Sequence, residues 1–419
     1  MIQAEPAPRY RALTRSSILN RPEWSSLDPD LREAIEAVSL VLPFRTNEYL
    51  VEQLIDWDNP VEDPIFQLTF PQRGMLDDRQ YIRVRDAIRR DAPKAELEQI
   101  ATEIRGELNP HPAGQMTHNV PHIDGEPIPG MQHKYRETTL FFPSHGQTCH
   151  AYCTFCFRWA QFVGDEDLKF ANKEADQLAR YLRKHPEVSD VLFTGGDPMI
   201  MKTKIFRRYV EQILEIESVR TIRIGTKSLA YWPQRFVSDA DADDMLRLFE
   251  EIVDSGKHLA LMAHTSHPVE LSTDVAREAV RRVRSTGANI RMQSPVIRHV
   301  NDDAATWSDM WATGVQMGMI PYYMFVERDT GAKSYFEMPL VRCWNLFRNA
   351  YQRVSGMART VRGPSMSCFP GKCHILGITE MTLGECRTRS DDKLFTSAED
   401  LPFDFNRGDC ASCAYDLCR

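Results

Sequence analysis

The sequence predicts an α/β protein built on a partial (β/α)6 barrel of the TIM type, with an N-terminal helical region and a cysteine-rich C-terminal extension. Three observations predict this fold. Short apolar segments alternate with amphipathic helical segments through the middle of the chain, polar motifs stand where the apolar segments end, and nearly all cysteines gather in two regions. We divide the 419 residues into an N-terminal helical region with its connection (1–130), a barrel core (131–340) and a C-terminal cofactor-loop and metal-binding extension (341–419).

The first region carries two helical patterns, at 28–42 and 78–108, in which apolar residues recur with helical spacing. A stretch rich in proline, histidine and glycine follows at 109–130. Such composition is typical of an irregular connection. We therefore expect a helical region that ends in a loop before the barrel.

The barrel core shows six apolar segments of strand length, separated by longer amphipathic segments. The strands are predicted at 139–142, 190–196, 221–226, 258–265, 289–296 and 321–326. The helices between them include 174–185, 204–216, 241–253 and 275–287. Alternation of this kind favours parallel strands, and in such barrels the chemistry is located at the carboxyl ends of the strands.

Composition narrows the function classes. A net charge of −8 and a pI near 5.9 provide no basic surface for nucleic acid. No apolar run reaches the ~18–20 residues of a membrane helix, and the N-terminus has no apolar signal core, so we expect a cytoplasmic protein without a membrane partner. In that reducing compartment, cysteines are expected to be metal ligands rather than disulfides.

The strongest motif follows the first strand, where Cys149, Cys153 and Cys156 have the spacing Cys-x3-Cys-x2-Cys. Three thiolates can hold three irons of a [4Fe–4S] cluster and leave the fourth iron to a small molecule such as S-adenosylmethionine. A structural zinc site with His150 as fourth ligand, or three unrelated cysteines, are the alternatives. The position after the first strand of a β/α series favours the cluster.

Further polar groups stand at the following strand ends. They are Gly195, Gly196, Asp197 and Pro198 after the second strand, Arg223 and Thr226 on the third, His264 on the fourth and Gln293 on the fifth. The glycine pair lets the backbone approach a ligand closely, and the side chains are candidate contacts to an adenosyl group. The alternatives are an ordinary turn for the glycines and satisfied polar groups at a barrel rim for the others.

Taken together, these stretches resemble the lysine 2,3-aminomutase family of radical S-adenosylmethionine enzymes. The resemblance extends from about Leu42 to the region of Lys372 and includes the cysteine motif, TGGDP, PQRF, HTSHPVE, RHVNDD and PYYMF. It implies an isomerase in which the cluster cleaves S-adenosylmethionine to a 5′-deoxyadenosyl radical. That radical removes a hydrogen from the β-carbon of an amino acid held on pyridoxal phosphate, and the amino group moves from C2 to C3.

The resemblance also implies roles for particular residues. Arg158 falls at the position that binds the substrate α-carboxylate, and Lys372 at the lysine that carries pyridoxal phosphate. The contacts on the phosphate side fall at Lys134, Tyr135 and Arg136, although two extra residues separate them from the cysteine motif. The alternatives are a structural arginine at 158 and a solvated lysine at 372. We further expect an amino-acid substrate, an electron donor such as flavodoxin or ferredoxin, and a homo-oligomer.

One departure from the family concerns the substrate side chain. Lysine-specific members hold the distal ammonium with two aspartates, but ungapped alignment places Arg328 at one of these positions and Ser365 near the other. An arginine there would repel a cationic side chain. We therefore expect an acidic amino acid such as glutamate or aspartate. A one-residue loop shift that points Arg328 outward and brings in Asp329 is the alternative.

The second departure is the tail. Its candidate ligands for a further metal are Cys368, Cys373, Cys386, Cys410, Cys413 and Cys418. A structural zinc is the leading interpretation, a second Fe–S cluster is the next, and unliganded cysteines are a third. A cluster on Cys368 and Cys373 would leave Lys372 beside it and make the pyridoxal phosphate role doubtful.

Three functions therefore stand at this point: a pyridoxal phosphate-dependent aminomutase, a radical enzyme without pyridoxal phosphate that catalyses another hydrogen-abstraction reaction, and a metal-stapled scaffold. The scaffold is disfavoured, because a binding protein needs neither the three-cysteine loop after one strand nor the glycine pair after the next.

Overall fold

The structure is a computed structural model of the chain. It describes residues 9–109, 119–163, 171–172, 174–368, 371–378, 386–388 and 394–395. Among these residues, no helix is both long enough and apolar enough to cross a bilayer.

The N-terminal region is helical, as the sequence predicts. Its helices are α1 (Arg15–Ile18), α2 (Pro22–Ser26), α3 (Pro29–Val41), α4 (Glu48–Gln53), α5 (Pro64–Thr69), α6 (Asp78–Arg89) and α7 (Lys94–Leu108). Strands β1 (Ala12–Leu13) and β2 (Thr46–Asn47) pair antiparallel beside them. The pattern at 28–42 forms one helix, whose first turn is capped by the Asp28 carboxylate. The pattern at 78–108 forms two, because Asp91 adopts a φ of 52° and Pro93 interrupts the hydrogen bonding.

The region packs against the barrel through its own apolar core, which also includes Ala151 and Trp159 from the cysteine loop and Trp232 from the barrel. Two backbone hydrogen bonds join it to that loop, because the N–H of Tyr152 donates to the Arg45 carbonyl and the N–H of Thr154 donates to the Leu68 carbonyl, each at 2.9 Å. The helical region therefore forms one wall of the loop.

The main sheet contains seven parallel strands and curves into a partial barrel. After a small hairpin of β3 (His122–Ile123) and β4 (Glu126–Pro127), β5 (Met131–Tyr135) enters the sheet antiparallel to β6. The parallel strands are β6 (Thr138–Phe141), β7 (Asp190–Phe193), β8 (Thr221–Thr226), β9 (His258–His264), β10 (Asn289–Pro295), β11 (Ile320–Phe325) and β12 (Arg362–Cys368). Antiparallel strands β13 (Gly371–Ile375), β14 (Cys386–Thr388) and β15 (Leu394–Phe395) continue the sheet beyond β12.

The six predicted strands are therefore confirmed as β6 to β11, and the partial barrel with them. The seventh, β12, was not predicted, because its sequence RGPSMSC is rich in glycine, proline and serine and lacks the apolar pattern of a buried strand. Backbone pairing with β11 sets its position, since the Val326 N–H donates to the Ser365 carbonyl at 2.8 Å.

The remaining helices follow the strands. They are α8 (Ala175–Lys184), α9 (Thr203–Leu214), α10 (Ser228–Tyr231), α11 (Ala242–Asp254), α12 (Asp274–Ser285), α13 (Ala304–Gln316), α14 (Lys333–Phe336) and α15 (Leu340–Gln352). Strand residues alternate between two faces: Ile222 and Ile224 are fully buried in the core under the helices, whereas Arg223 lies on the inner face of the barrel. This alternation keeps a polar interior inside an apolar shell.

Candidate active site

The three motif cysteines lie on the loop that follows β6. The Cys156 N–H donates to the Cys153 carbonyl at 3.1 Å, and the Trp159 N–H donates to the Cys156 carbonyl at 3.0 Å, so the loop turns tightly through the motif. All three are free thiols. Burial is the main cause that raises the pKa of Cys149 and Cys156, the latter to about 12, and the charges of neighbouring motif cysteines raise both further. The three sulfurs are thus close enough to interact electrostatically.

A cation stands beside each of these thiols. Burial raises the pKa of each thiol, and a nearby positive charge lowers it. This charge belongs to Arg45 for Cys149, to Lys227 for Cys153 and to Arg158 for Cys156. Thiolate ligands are negative, and a buried cluster needs such compensation. The chemistry of the three cysteines and the charges beside them therefore suit thiolate ligands of a cluster, although their side chains are not converged on a single ion in this structure.

The glycine pair after β7 packs directly on the approach to the cysteine loop. A Cβ on Gly196 would lie 2.5 Å from the Thr148 carbonyl oxygen, and Gly195 adopts a φ of 141° with Gln147 against it. No other residue type fits this contact without displacing the loop. Here the glycines serve a close approach between two backbone segments.

Asp197, next in the chain, ties this turn to the end of β8. Its carboxylate is 3% exposed and accepts hydrogen bonds from the hydroxyls of Thr226 and Ser228 and from the N–H groups of Lys227 and Met199, at 2.7–3.0 Å. Burial raises the pKa of Asp197, and these four donors oppose that rise. Pro198 then begins a short 3-10 turn.

Lys227, which follows β8, belongs to a buried ion pair. Its ammonium lies 2.6 Å from the Glu270 carboxylate, whose side chain is fully buried. The same carboxylate accepts the Ser266 N–H at 2.5 Å, and Lys227 Nζ lies 4.5 Å from the centre of the Tyr231 ring. The Tyr231 hydroxyl is 3.6 Å from Cys153 Sγ. This network therefore begins at the cysteine loop and ends on the turn after β9.

Three other predicted contacts lie on inner-face strand positions. His264 ends β9, stacks on Phe155 of the cysteine loop, and has its pKa lowered far below the usual value, first by burial and then by Lys227. Gln293 lies beside it on β10 in register. Arg223 forms a 2.8 Å ion pair with Asp190 on β7. Of these three, His264 is the one that contacts the cysteine loop.

Arg158 is buried at the end of the cysteine loop. Its guanidinium donates to Gln161 at 2.9 Å and lies 4.4 Å from the centre of the Phe142 ring, while its Nε is buried and has no hydrogen-bond partner among the described residues. Burial lowers the pKa of Arg158 to about 10, and the charge of Arg328 contributes to this lowering. The two arginines are therefore near enough for their charges to interact.

Arg328 belongs to the loop after β11 and stacks on Phe157, 4.8 Å from the ring centre. The same loop is held to the cysteine segment by a 3.0 Å hydrogen bond from the Trp159 indole to the Thr330 hydroxyl. The neighbouring Asp329 forms an ion pair with Lys333 at 2.8 Å. Burial, followed by the charge of Glu337, raises the pKa of Glu327 far above its usual value.

Lys372 lies on β13, opposite Ser367 of β12. Its ammonium is 3.8 Å from the centre of the Tyr323 ring and 4.6 Å from that of Phe325, both on β11. Lys134 and Tyr135 end β5, at the opposite edge of the sheet from β13, and Arg136 is 77% exposed beside Glu137.

Three of the six predicted tail ligands, Cys410, Cys413 and Cys418, lie outside the described residues, as do the side chains of Cys368 and Cys386. Cys373 is buried on β13. Across the described ranges, no three His, Cys, Asp or Glu side chains converge on one metal ion. The tail metal remains a prediction.

The sequence reading missed three residues of this site: Arg45, Tyr231 and Glu270. Glu270 lies in HTSHPVE, a stretch quoted for the family resemblance, so its presence was visible but its partner was not. Their contacts to the cysteine loop come from elements about 80–120 residues away along the chain, which no local pattern reveals.

Comparison with known proteins agrees with this geometry. The model of the radical SAM superfamily matches residues 144–306, which include the cysteine loop and β7 to β10. The fold and the site thus define a radical S-adenosylmethionine enzyme. Membership brings a [4Fe–4S] cluster and S-adenosylmethionine as cofactors, a reductant and a small-molecule substrate.

Similarity to individual proteins is more specific. A protein of Aquifex aeolicus named "Putative L-lysine 2,3-aminomutase" is 33% identical over 350 residues, which cover 83% of this chain and 81% of its own. A second protein of that organism with the same name is 25% identical, with coverage of 84% and 83%. The L-lysine 2,3-aminomutase of Escherichia coli K12 is 28% identical over 242 residues, 56% of this chain and 67% of its own. The chain belongs to the lysine 2,3-aminomutase family.

Proposed function

We propose that this enzyme is a 2,3-aminomutase that moves the amino group of an acidic amino acid from C2 to C3. The observation that carries the substrate assignment is the proximity of two arginines on joined loops. Arg328 stacks on Phe157, the residue next to Arg158, and the Trp159 indole donates to the Thr330 hydroxyl at 3.0 Å. An amino acid with a second carboxylate provides one anion for each arginine.

In this proposal Cys149, Cys153 and Cys156 would hold the cluster, which after one-electron reduction by the external donor would cleave S-adenosylmethionine to methionine and the hydrogen-abstracting radical. Pyridoxal phosphate on Lys372 supplies an acceptor that carries the amino nitrogen during its migration. The electron donor is a flavodoxin or ferredoxin, and the enzyme is a homo-oligomer. The protein itself positions the β-carbon and keeps water away from it.

Arg158 is suited to the α-carboxylate. It is 7% exposed, held by Gln161 and Phe142, and its Nε remains without a partner among the described residues. A carboxylate would accept from this buried donor and restore the pKa that burial has lowered. The orphaned donor therefore fits an anionic ligand.

Arg328 is suited to the distal carboxylate. Phe157 supports its guanidinium, Asp329 pairs with Lys333, and burial raises the pKa of Glu327, which disfavours its charged form. A substrate ammonium about 4 Å from Arg328 would meet a repulsion of roughly 4 kcal/mol at an effective dielectric constant near 20. Lysine is for this reason excluded from the proposal.

The test is a substrate screen with matched variants, performed anaerobically with dithionite as reductant. Formation of β-glutamate from glutamate, or of the corresponding product from other amino acids, is followed by mass spectrometry. Arg328→Asp is expected to lower kcat/KM for the acidic substrate by roughly 10- to 100-fold, since a hydrogen bond between charged groups contributes about 1.5–3 kcal/mol. Arg328→Lys keeps the positive charge, so its kcat/KM for the acidic substrate is expected to fall less.

Arg348→Asp, an exposed substitution on α15, is the control for altered surface charge and is expected to leave turnover unchanged. Equal turnover of lysine and glutamate by the wild type would refute the substrate assignment. Release of 5′-deoxyadenosine with no rearranged amino acid from any substrate would instead favour a radical enzyme without aminomutase activity.

A further inference from the structure

An N-terminal segment, residues 9–14, lies against the cysteine loop and has no role in the site described so far. We call it the N-terminal strap. The Tyr10 hydroxyl donates to the His150 carbonyl at 2.8 Å, and the centres of the two rings lie 4.9 Å apart with their planes nearly perpendicular. His150 directly follows Cys149 in the chain. The strap therefore contacts the backbone one residue away from a predicted cluster ligand.

The strap is held in place at both of its contacts. Its residues Ala12 and Leu13 form β1, which pairs with β2, and Leu13 is only 1% exposed. The side-chain amide of Asn47, on β2, donates to the same His150 carbonyl at 3.2 Å and to the Tyr231 carbonyl at 2.9 Å. The charges that the strap carries are therefore fixed in position beside the loop.

These charges are two exposed arginines, one on each side of Tyr10. The Arg11 side chain is 69% exposed, and its nearest carboxylate, that of Glu48, lies 3.5 Å away and is shared with Arg21 at 3.9 Å. Arg9 is exposed and has no ion-pair partner among the described residues. Exposed ion pairs of this kind are weak, so both arginines remain available to an approaching anion.

The enzyme class requires a reductant, and the low-potential carriers of the flavodoxin and ferredoxin class are small acidic proteins. This chain has a net charge of −8, so an acidic protein is repelled by it overall and can approach well only at a local positive surface. In the proposed function the barrel interior holds S-adenosylmethionine and substrate. An electron donor must therefore reach the cysteine loop from outside the barrel, and the strap lies on that loop with two exposed cations.

We propose that the N-terminal strap is part of the docking surface for a small acidic electron-transfer protein, with Arg9 and Arg11 facing its carboxylates and Tyr10 leading to the backbone beside Cys149. In the complex the donor protein is oxidised by one electron and the cluster is reduced by one, with no other group transferred. The inference rests on the proposed function only for the cluster ligands and the class of donor, and it is independent of the amino-acid substrate. Complexes of this kind bury little surface and depend on charge for their rate of formation.

The first measurement is binding. Full-length, cluster-loaded protein is titrated anaerobically with oxidised flavodoxin in a calorimeter, as wild type and as the double variant Arg9→Glu/Arg11→Glu. The double variant is expected to bind roughly tenfold more weakly at low ionic strength, because reversed charges repel the acidic partner. The difference is expected to shrink at roughly 1 M salt, where the Debye length is about 3 Å.

The second measurement is electron delivery, taken as 5′-deoxyadenosine formed from S-adenosylmethionine. Each protein is assayed with photochemically reduced flavodoxin and with an excess of dithionite, and the ratio of the two rates is compared, so that differences in folding or iron content cancel. The double variant is expected to lower this ratio roughly tenfold. Arg9→Lys/Arg11→Lys keeps both charges and is expected to restore most of it.

A control variant and a footprint locate the effect. Arg348→Glu reverses an exposed charge on α15 and is expected to keep the wild-type affinity and ratio. Hydrogen–deuterium exchange with bound flavodoxin is expected to protect the peptide that covers residues 9–14.

The outcomes distinguish this surface from the proposed function. Unchanged flavodoxin affinity and rate ratio in the double variant, an equal loss in Arg348→Glu, or protection only at a distant face would each overturn the docking surface while the cluster assignment stands. The same holds if neither flavodoxin nor ferredoxin reduces a protein that dithionite reduces. No 5′-deoxyadenosine with any reductant overturns the cluster role, and the docking surface with it. A loss confined to the strap variants supports the docking surface, whichever amino acid is rearranged.

Discussion

Replacement of Asp197 by alanine is expected to destabilise the protein by about 3 kcal/mol. The buried carboxylate accepts four donors, of which the Ser228 hydroxyl has His150 Nδ1 at 3.0 Å as a second partner. The N–H groups of Lys227 and Met199 have no such alternative partner among the described residues. Each buried unsatisfied donor costs about 1–3 kcal/mol, which gives roughly 2–6 kcal/mol for the pair.

The lower half of that range is expected, because the variant no longer buries a carboxylate whose pKa is raised chiefly by burial. The assay is urea unfolding followed by circular dichroism, under anaerobic conditions, with the free energy of unfolding taken from the transition. Asp244→Ala, which removes an exposed partner of Arg247, is the control and is expected to cost less than about 1 kcal/mol. A loss for Asp197→Ala no larger than that of the control would refute the reasoning that this carboxylate holds the ends of β7 and β8 together.

Other predictions follow from the cysteine loop. Cys153→Ala is expected to abolish S-adenosylmethionine cleavage, measured as 5′-deoxyadenosine after reduction with dithionite; continued production by this variant would contradict its role as a cluster ligand. Tyr231→Phe is expected to move the cluster midpoint potential to a more negative value in EPR-monitored titrations. The Cys153 thiol donates to the Tyr231 oxygen at 3.6 Å, but a cluster-bound thiolate can only accept, so the phenol, whose pKa burial raises far above the usual value, would then donate to the sulfur. Tyr49→Phe, a buried tyrosine bonded to Thr273, should leave the potential unchanged, and equal shifts in both would disprove the assignment. Gly196→Ala is expected to reduce iron content per chain, because its Cβ would lie 2.5 Å from the Thr148 carbonyl beside the loop; full iron loading would show that the loop adapts.

Much of the fold follows from local patterns. The alternation of apolar strands with amphipathic helices predicts β6 to β11 and the helices between them, because burial on two faces demands those spacings. Local patterns do not predict β12, because its glycine, proline and serine residues have little preference for strands and are held by pairing with β11. The break between α6 and α7 similarly depends on the backbone at Asp91, which a helical pattern does not reveal.

The sequence by itself determined the class of enzyme, because ligand spacing in the cysteine motif and the order of the motifs are properties of the chain. Tertiary structure alone decided which charges meet. It brings Arg45 to Cys149 and Lys227 to Cys153 from distant elements, pairs Lys227 with Glu270, occupies Asp329 with Lys333, and brings the charge of Arg328 near Arg158. The physical reason is that electrostatic interactions depend on separation in space and on burial, and neither is encoded by the position of a residue along the chain.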